Sequence, residues 1–579
     1  MNNHLAMLLA LAALAIMPRA VHAHQPAAAG ASSRADSRAA LAPQLHPLPQ
    51  SVASNSTVTL HCGRHYYGTL DLVRRSNVTV RTKGDCGKAS ISPAQAVRGW
   101  SRQRGNIWIA PVRFQPVQLT WNHKPLSLAH HPNQPWAKAS SSGPDRLQAR
   151  MSNEDLAGAT LVYRPAEWMI ETRAIREYDN GAIVLGPKVG DAIDPTPETE
   201  FYVEGKLWML DSPGEWAYHD GWLFVWPPDG QSPEGKIWAG PDASGIDAAH
   251  SRNITIENVR VHTAMTGISA ADSSNLHVSR VEIVNSARDG IFVGGRGVLV
   301  DGVRIVNSVQ NGILGYYGIS DVAVINSSIE ATGTTGMPKR SKGAIALEQS
   351  SGVKILNNRI VEASYIGIRV HRKAVVSNNL VERACQVLSD CGGIYTFARD
   401  RQPLETRIEG NTVRKLAGRY AYGVYLDDSA NDVAVVRNLL VDNPGGIEIH
   451  NGFNNLISEN VIADSRFEHI LFNETGDERV LRNRIERNLF ITGKREPTYR
   501  LWSVRGGSTT AGFGEFNDNI YVGPAAGFAE LQGSGLVGWS AWRAKIGQDA
   551  RSKQESNVQA GRERQRKWAA GSSLEKINP

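Results

Sequence analysis

From about residue 250 onward, a glycine followed by a small or β-branched residue returns at a nearly regular interval. The marks are Gly267, Gly290, Gly312, Gly343, Gly367, Gly393, Gly423 and Gly446, spaced by 23, 22, 31, 24, 26, 30 and 23 residues. Between them lie short stretches of alternating apolar residues, among them Ile254/Ile256, Leu276/Val278, Val298/Val300, Val322/Val324, Val353/Ile355 and Val433/Val435. Alternation with period two describes strands, because successive side chains of a strand point to opposite faces. A chain that repeats such strands every 22 residues or so is expected to stack one coil on the next, each coil burying its Val, Ile and Leu strip against its neighbours.

Asparagine recurs in step, at Asn358, Asn379, Asn411, Asn438 and Asn460, just inside the strand–turn junctions. Stacked Asn side chains hydrogen-bond from coil to coil, and Asn tolerates the left-handed backbone of a sharp turn. A parallel β-helix satisfies both signals. The longer intervals carry extra residues at 332–342, 386–391 and 399–405. In a solenoid such insertions leave the stack as loops and commonly line one binding face.

Alternation is already present at 56–110 (Val58/Leu60, Leu70/Leu72, Val78/Val80), so residues 51–110 are expected to form the first coils. The character then changes. Residues 111–240 are rich in Trp and Pro and read as a small β-rich domain inserted ahead of the main stack at 241–525. Within it, Asp211-Ser212-Pro213-Gly214-Glu215-Trp216 precedes Leu223-Phe224-Val225-Trp226-Pro227-Pro228. This pair of segments resembles a signature of bacterial β-helical glycoside hydrolases, the β-xylosidase type included. The stretch 118–133, ending His131-Pro132-Asn133, is similar to the insertion segment of those enzymes. Val424-Tyr425-Leu426-Asp427-Asp428 resembles an acidic strand end common among them. The likeness spans about residues 56–545 and implies an all-β fold: a right-handed parallel β-helix with a small inserted β-sandwich-like domain. It also implies work on a glycan. Polysaccharide lyases and epimerases share the architecture, so the fold does not choose the reaction.

Aligning coils on the glycine marks gives columns of outward residues. Glu348, His371, Phe397, Asp427, His450 and Asn473 share one; Arg369, Tyr395, Tyr425, Glu448 and Leu471 share the next, two residues back. With rungs about 4.8 Å apart, these residues are expected on one exposed face. Acids, His, Tyr and Arg together are the inventory for acid–base work on a sugar. Hydrolysis needs one carboxylic acid to protonate the leaving oxygen and a second carboxylate as nucleophile or base. Asp427 and Glu448 are the expected pair, with Asp428, His450 and His371 as further catalytic candidates and Arg369, Tyr395, Tyr425 and Glu348 as substrate contacts. Register puts His450, rather than Glu448, directly over Asp427. Asp428 reaches the same side only if the chain turns there.

Two other readings use the same residues. A lyase acting on a uronate needs cations and a base, which Arg369, His371, Arg372, Lys373 and Tyr395 supply. The neighbouring acids would repel a polyuronate unless they bound calcium, for which Asp427, Asp428 and Glu448 offer oxygen ligands. Hydrolysis itself requires no cofactor. The third reading is a non-catalytic glycan-binding or adhesion protein. Trp121, Trp136, Trp168, Trp208, Trp216 and Trp226 stack either on sugars or in the core of the insertion, and the core is the commoner fate. Motifs for a Ser or Cys nucleophile and phosphate-binding glycine loops are absent from the sequence, and no nucleic-acid partner is expected.

The apolar run 5–17 followed by Val21-His22-Ala23 reads as a signal peptide cut after Ala23, which implies a secreted or periplasmic protein. Residues 24–50 read as a flexible leader. Cys62 and Cys86 lie about one coil apart, and Cys385 and Cys391 bracket a short loop, so two disulfides are expected. The net charge of +7 is partly local, since 551–567 holds six basic residues against two acidic ones; a solvated basic tail is the expectation. Residues 539–549 should form a short helix capping the open end of the stack. The tail from 550 to 579 is expected to be largely disordered.

Overall fold

The computed structural model describes residues 44–571, apart from 135, 154, 189, 191, 198, 317, 335, 477, 494–495, 504–511 and 525–526. The expected signal peptide, and the leader as far as residue 43, lie outside the described residues. The rest forms a right-handed parallel β-helix with an inserted set of antiparallel sheets. One face of the helix is a 15-stranded parallel sheet running from Leu45–Pro47 to Lys553–Glu555. The stack therefore starts within the segment expected to be a flexible leader. Two further faces alternate along the chain. One carries the strands Cys391–Phe397, Ala421–Asp427, Gly445–His450, Glu468–Glu474 and Tyr499–Ser503, each paired in parallel with the next.

The glycine spacing has a packing cause. A Cβ on Gly367 would stand 2.5 Å from the carbonyl oxygen of Gly393, and one on Gly393 would stand 2.9 Å from that of Gly423. Backbone of one coil presses on backbone of the next at this corner, which only hydrogen can accommodate. Asparagine builds a second corner. Asn358, Asn379, Asn411, Asn438, Asn460, Asn488 and Asn519 form a continuous buried ladder, each Nδ2 donating to the next Oδ1 at 2.9–3.1 Å. The left-handed backbone falls one residue earlier than expected, at Asn357 (φ 58°), Asn378 (55°), Arg437 (53°) and Glu459 (58°). The ladder asparagines are fixed by their hydrogen bonds, and the turn strain is carried by the residue before each.

The insertion begins ahead of residue 111. Gln95–Ala96, Ser101–Arg104 and Ile107–Pro111 belong to its antiparallel sheets, which run on to Ile237–Gly240. It has two apolar cores of its own, one around Tyr163, Phe201 and Val203, the other around Trp121, Trp216 and Leu223. Trp121 and Trp216 are thus core residues, whereas Trp168 is 42% exposed. Both disulfides are present, Cys62–Cys86 and Cys385–Cys391. At the far end the helix Trp539–Ile546 buries Trp542 on Tyr499, ring centroids 5.0 Å apart. Beyond it residues 550–571 are ordered where disorder was expected, and 572–579 lie outside the described residues: Lys553–Glu555 closes the parallel sheet, and helix Val558–Gly571 follows. No helix among the described residues is long and apolar enough to cross a membrane.

Candidate active site

The strand register aligns Arg369, Tyr395, Tyr425, Glu448, Leu471 and Arg500 in one column. In the neighbouring column Phe397 faces Asp427, and His450 faces Asn473 and then Trp502. The face is sunken where an exposed one was expected. Tyr425 and Glu448 are each 4% exposed, Tyr395 5% and Asp427 9%; Glu348 and His371 are also buried.

The three extra-length loops pack against this face. Each brings a charged group onto the face. From the 332–342 loop, Lys342 reaches Glu348 at 3.4 Å. From the 386–391 loop, Asp390 accepts the Tyr425 hydroxyl at 2.9 Å. From the 399–405 loop, Asp400 binds Arg372. The insertion in turn holds two of these loops. Tyr202 donates to the Pro338 carbonyl at 3.0 Å, Lys339 pairs with Glu204, and the Ser389 amide donates to the Glu167 carbonyl at 3.0 Å.

Asp427 is the hub. Its Oδ2 accepts the Tyr395 hydroxyl at 2.6 Å; its Oδ1 meets His450 Nδ1 at 2.6 Å and accepts the Asp428 amide at 2.8 Å. Burial works to raise the Asp427 carboxyl, but these donors, led by His450, hold it below the usual carboxylate range. Burial likewise opposes charge on His450, yet the hydrogen bond and charge of Asp427 push the imidazole up to about 9. The two therefore stand as an imidazolium–carboxylate pair at neutral pH. Nε2 of His450 lies 2.6 Å from the Thr475 hydroxyl.

Glu448, one rung over in the next column, behaves in the opposite sense. Burial is the main cause that raises its carboxyl to about 8, with the Asp390 and Asp427 charges adding to it and His450 opposing. Its Oε1 accepts Asn473 Nδ2 at 2.9 Å, a neutral donor that does little to stabilise charge. Burial and the Asp427 charge also raise Asp390, to about 7. Asp427 thus stands ionised beside Glu448 and Asp390, whose carboxyls are pushed toward the protonated form.

The other expected residues sort into two groups. Asp428 does reach the same side, because the chain turns there: its φ is 37° and that of Ser429 is 63°. Its Oδ1 lies 3.8 Å from His450 Nδ1, and its Oδ2 accepts Arg399 Nε at 2.6 Å. His371 and Glu348 stand apart from the carboxyl cluster. The His371 ring packs on Phe397 at 5.3 Å between centroids, and burial followed by the Arg372 charge lowers its imidazole below the usual range. Glu348 is engaged by Arg369 at 2.9 Å, whose guanidinium also lies over the Tyr395 and Phe397 rings. Asp390, Thr475 and the set Tyr422–Glu468–Arg500 were not expected from the sequence. Asp390 carried one signal, its place just before a disulfide cysteine in an overlong coil.

Asp427, Asp428 and His450 offer ligand atoms within 4.8 Å of one another. This differs from the oxygen-only set expected for calcium. As an imidazolium, His450 has no free lone pair on the nitrogen that faces both carboxylates, and Arg399 already pairs with Asp428. The set thus balances its own charge.

Residues 244–413 and 392–520 match a family model described as a right handed beta helix region. No curated protein matches the sequence. Among solved structures, one titled a glycoside hydrolase is 16% identical, covering 67% of this chain and 86% of its own, with a TM-score of 0.48. XylC in complex with xylose is 10% identical over 88% of this chain and 82% of its own, with a TM-score of 0.35. The A-module of the Azotobacter vinelandii mannuronan C-5 epimerase AlgE4 is 14% identical over 55% of this chain and 86% of its own, with a TM-score of 0.34.

Proposed function

We propose that the chain is a glycoside hydrolase acting on a polysaccharide or oligosaccharide, with Glu448 as general acid and Asp427 as the ionised partner. The observation that carries this reading is the contrast between two buried carboxyls one rung apart: Asp427 is bonded to His450 and Tyr395, which favour its charge, whereas Glu448 meets only the neutral Asn473 amide and its burial favours the proton. Environments that drive two such groups apart assign the acid and the base. Glu448 gives its proton to the glycosidic oxygen as the bond to the anomeric carbon breaks. Asp427 stabilises the positive charge that develops there and serves as nucleophile or as base for the incoming water; the water's oxygen ends on the anomeric carbon. Tyr395 and His450 act as positioning residues that keep Asp427 ionised. Asp390, which shares its proton affinity with this cluster, is the second candidate acid.

A uronate lyase is disfavoured by the state of the cations. Arg369 and Lys342 are tied to Glu348, Arg399 to Asp428 and Arg372 to Asp400. A polyuronate would have to displace these pairs before its carboxylates could be neutralised. Of the bases that reading would use, the Tyr395 hydroxyl is held protonated by burial and the Asp427 charge, and His371 packs on Phe397 apart from the carboxyl cluster. The two disulfides support a secreted or periplasmic protein. No cofactor enters the proposed chemistry, so chelation should leave turnover unchanged.

The test is incubation of purified protein with neutral and uronate-containing polysaccharides, each read for new reducing ends and for ultraviolet absorbance of an unsaturated uronate. Reducing ends without absorbance are expected. Both signals together would establish a lyase, and saturable binding without product would establish a glycan-binding protein.

A further inference from the structure

The columns through the carboxyl cluster continue past it. Strand Tyr499–Ser503 lies two rungs beyond the strand bearing Glu448, about 10 Å along the stack at about 4.8 Å per rung. Its outward residues are Arg500 and Trp502, because Leu501 and Ser503 are turned into the core. Trp502 therefore stands in the column of His450 and Asn473, and its side chain is 39% exposed. Leu471, half-buried, lies between Glu448 and Arg500 in the adjoining column.

We propose that Trp502 is a sugar-stacking platform which, with Leu471 and Arg500, forms a subsite for a further residue of a neutral glycan chain on the C-terminal side of the carboxyl pair. The proposal rests on the hydrolase reading of Asp427 and Glu448. Three observations support it. First, Trp502 places a partly exposed indole in the outward column that carries His450 and Asn473, and the apolar face of a pyranose matches an indole in shape and polarity. Second, the aromatic residue in the opposite direction is already engaged. Phe397 packs against His371 at 5.3 Å and lies under the guanidinium groups of Arg369 at 5.2 Å and Arg399 at 5.5 Å. Third, Arg500 brings hydrogen-bond donors without free charge. It is held by Glu468 at 2.7 Å and Glu530 at 2.8 Å, and Glu468 is itself fixed by the Tyr422 hydroxyl at 3.0 Å. A subsite floored by Leu471 and walled by a neutralised Arg suits an extended neutral chain lying along the stack.

The experiment measures kcat/KM for a length series of the neutral glycan that yields reducing ends, with wild type, Trp502→Ala and Trp502→Phe. Trp222→Ala, at an exposed tryptophan of the insertion, is the control. In wild type, lengthening the chain far enough to reach Trp502 should raise kcat/KM about tenfold, equivalent to about 1.4 kcal/mol, and chiefly through KM. Trp502→Ala should abolish that gain and Trp502→Phe should restore most of it. A Trp502→Ala enzyme that keeps the full length dependence overturns the subsite while leaving the hydrolase reading intact. Absence of wild-type turnover on every neutral glycan overturns the hydrolase reading, and the subsite with it.

Discussion

Replacing Glu448 by Gln tests whether a proton on this side chain drives the reaction. With its carboxyl raised to about 8, Glu448 is about 90% protonated at pH 7 and only about 10% protonated at pH 9. Turnover that depends on that proton should fall about tenfold between the two. Asp427, held low, should stay ionised throughout, so no matching loss is expected on the acid side until well below pH 5. His450 also titrates near pH 9, and the variant separates the two groups. In Glu448→Gln the residual rate should lie about 10²–10⁴ below wild type and lose the alkaline limb centred near pH 8. Stability supplies an independent readout. The native state holds a proton that the unfolded chain releases at about 4.5, so stability should fall as pH rises from about 4.5 to 8. At about 1.4 kcal/mol per pH unit, ionising Glu448 costs the folded state on the order of 5 kcal/mol. Relative to wild type, the Gln variant should therefore gain in denaturation midpoint at pH 9 over pH 5. A wild-type limb centred near pH 4–5, or an alkaline limb near pH 8 that survives unchanged in the variant, would refute the reasoning.

Two further consequences follow from the loops and the ladder. Asn438→Ala removes the acceptor of two Asn411 donors and the donor to the Ile408 carbonyl, all buried; a loss of about 3 kcal/mol in chemical denaturation is expected, and a midpoint within error of wild type would contradict it. Replacing Cys385 and Cys391 by Ser frees the loop that presents Asp390, so kcat should fall about tenfold with little change in melting temperature, and an unaltered kcat would remove Asp390 from the site.

Much of this architecture is legible in the sequence because a solenoid turns spacing into position. Gly367, Gly393 and Gly423 mark the same corner of successive coils, and counting from them places Asp427 beside Phe397 and His450, where the strands do pair. The asparagine ladder and both cystines were legible for the same reason. What escaped notice lies where the period breaks. Asp390 and Lys342 sit in loops whose length says that they leave the stack, while the direction of return is set by tertiary contacts with Tyr425, Glu348 and the insertion. That return converts an expected open face into a buried one, and with it the protonation of Glu448. The insertion begins at Gln95–Ala96, earlier than the change in composition, because its first strands are two residues long or wholly polar and exposed, and carry no apolar pattern of their own. The C-terminal helix Val558–Gly571 was hidden by its basic surface; its anchors are Val558 against the Ala463–Ile491–Val522 cluster and the pairing of Arg562 with Asp464.

The most direct test of the central claim is the turnover of Asp427→Asn on whichever glycan the wild type cleaves, with thermal melting recorded alongside. The amide keeps the shape of the hub and a hydrogen bond to its neighbours but cannot carry the charge. The account predicts a cooperative melt and a kcat lowered by about 10² or more. A folded Asp427→Asn enzyme that turns over at the wild-type rate would show that the chemistry lies elsewhere on the β-helix.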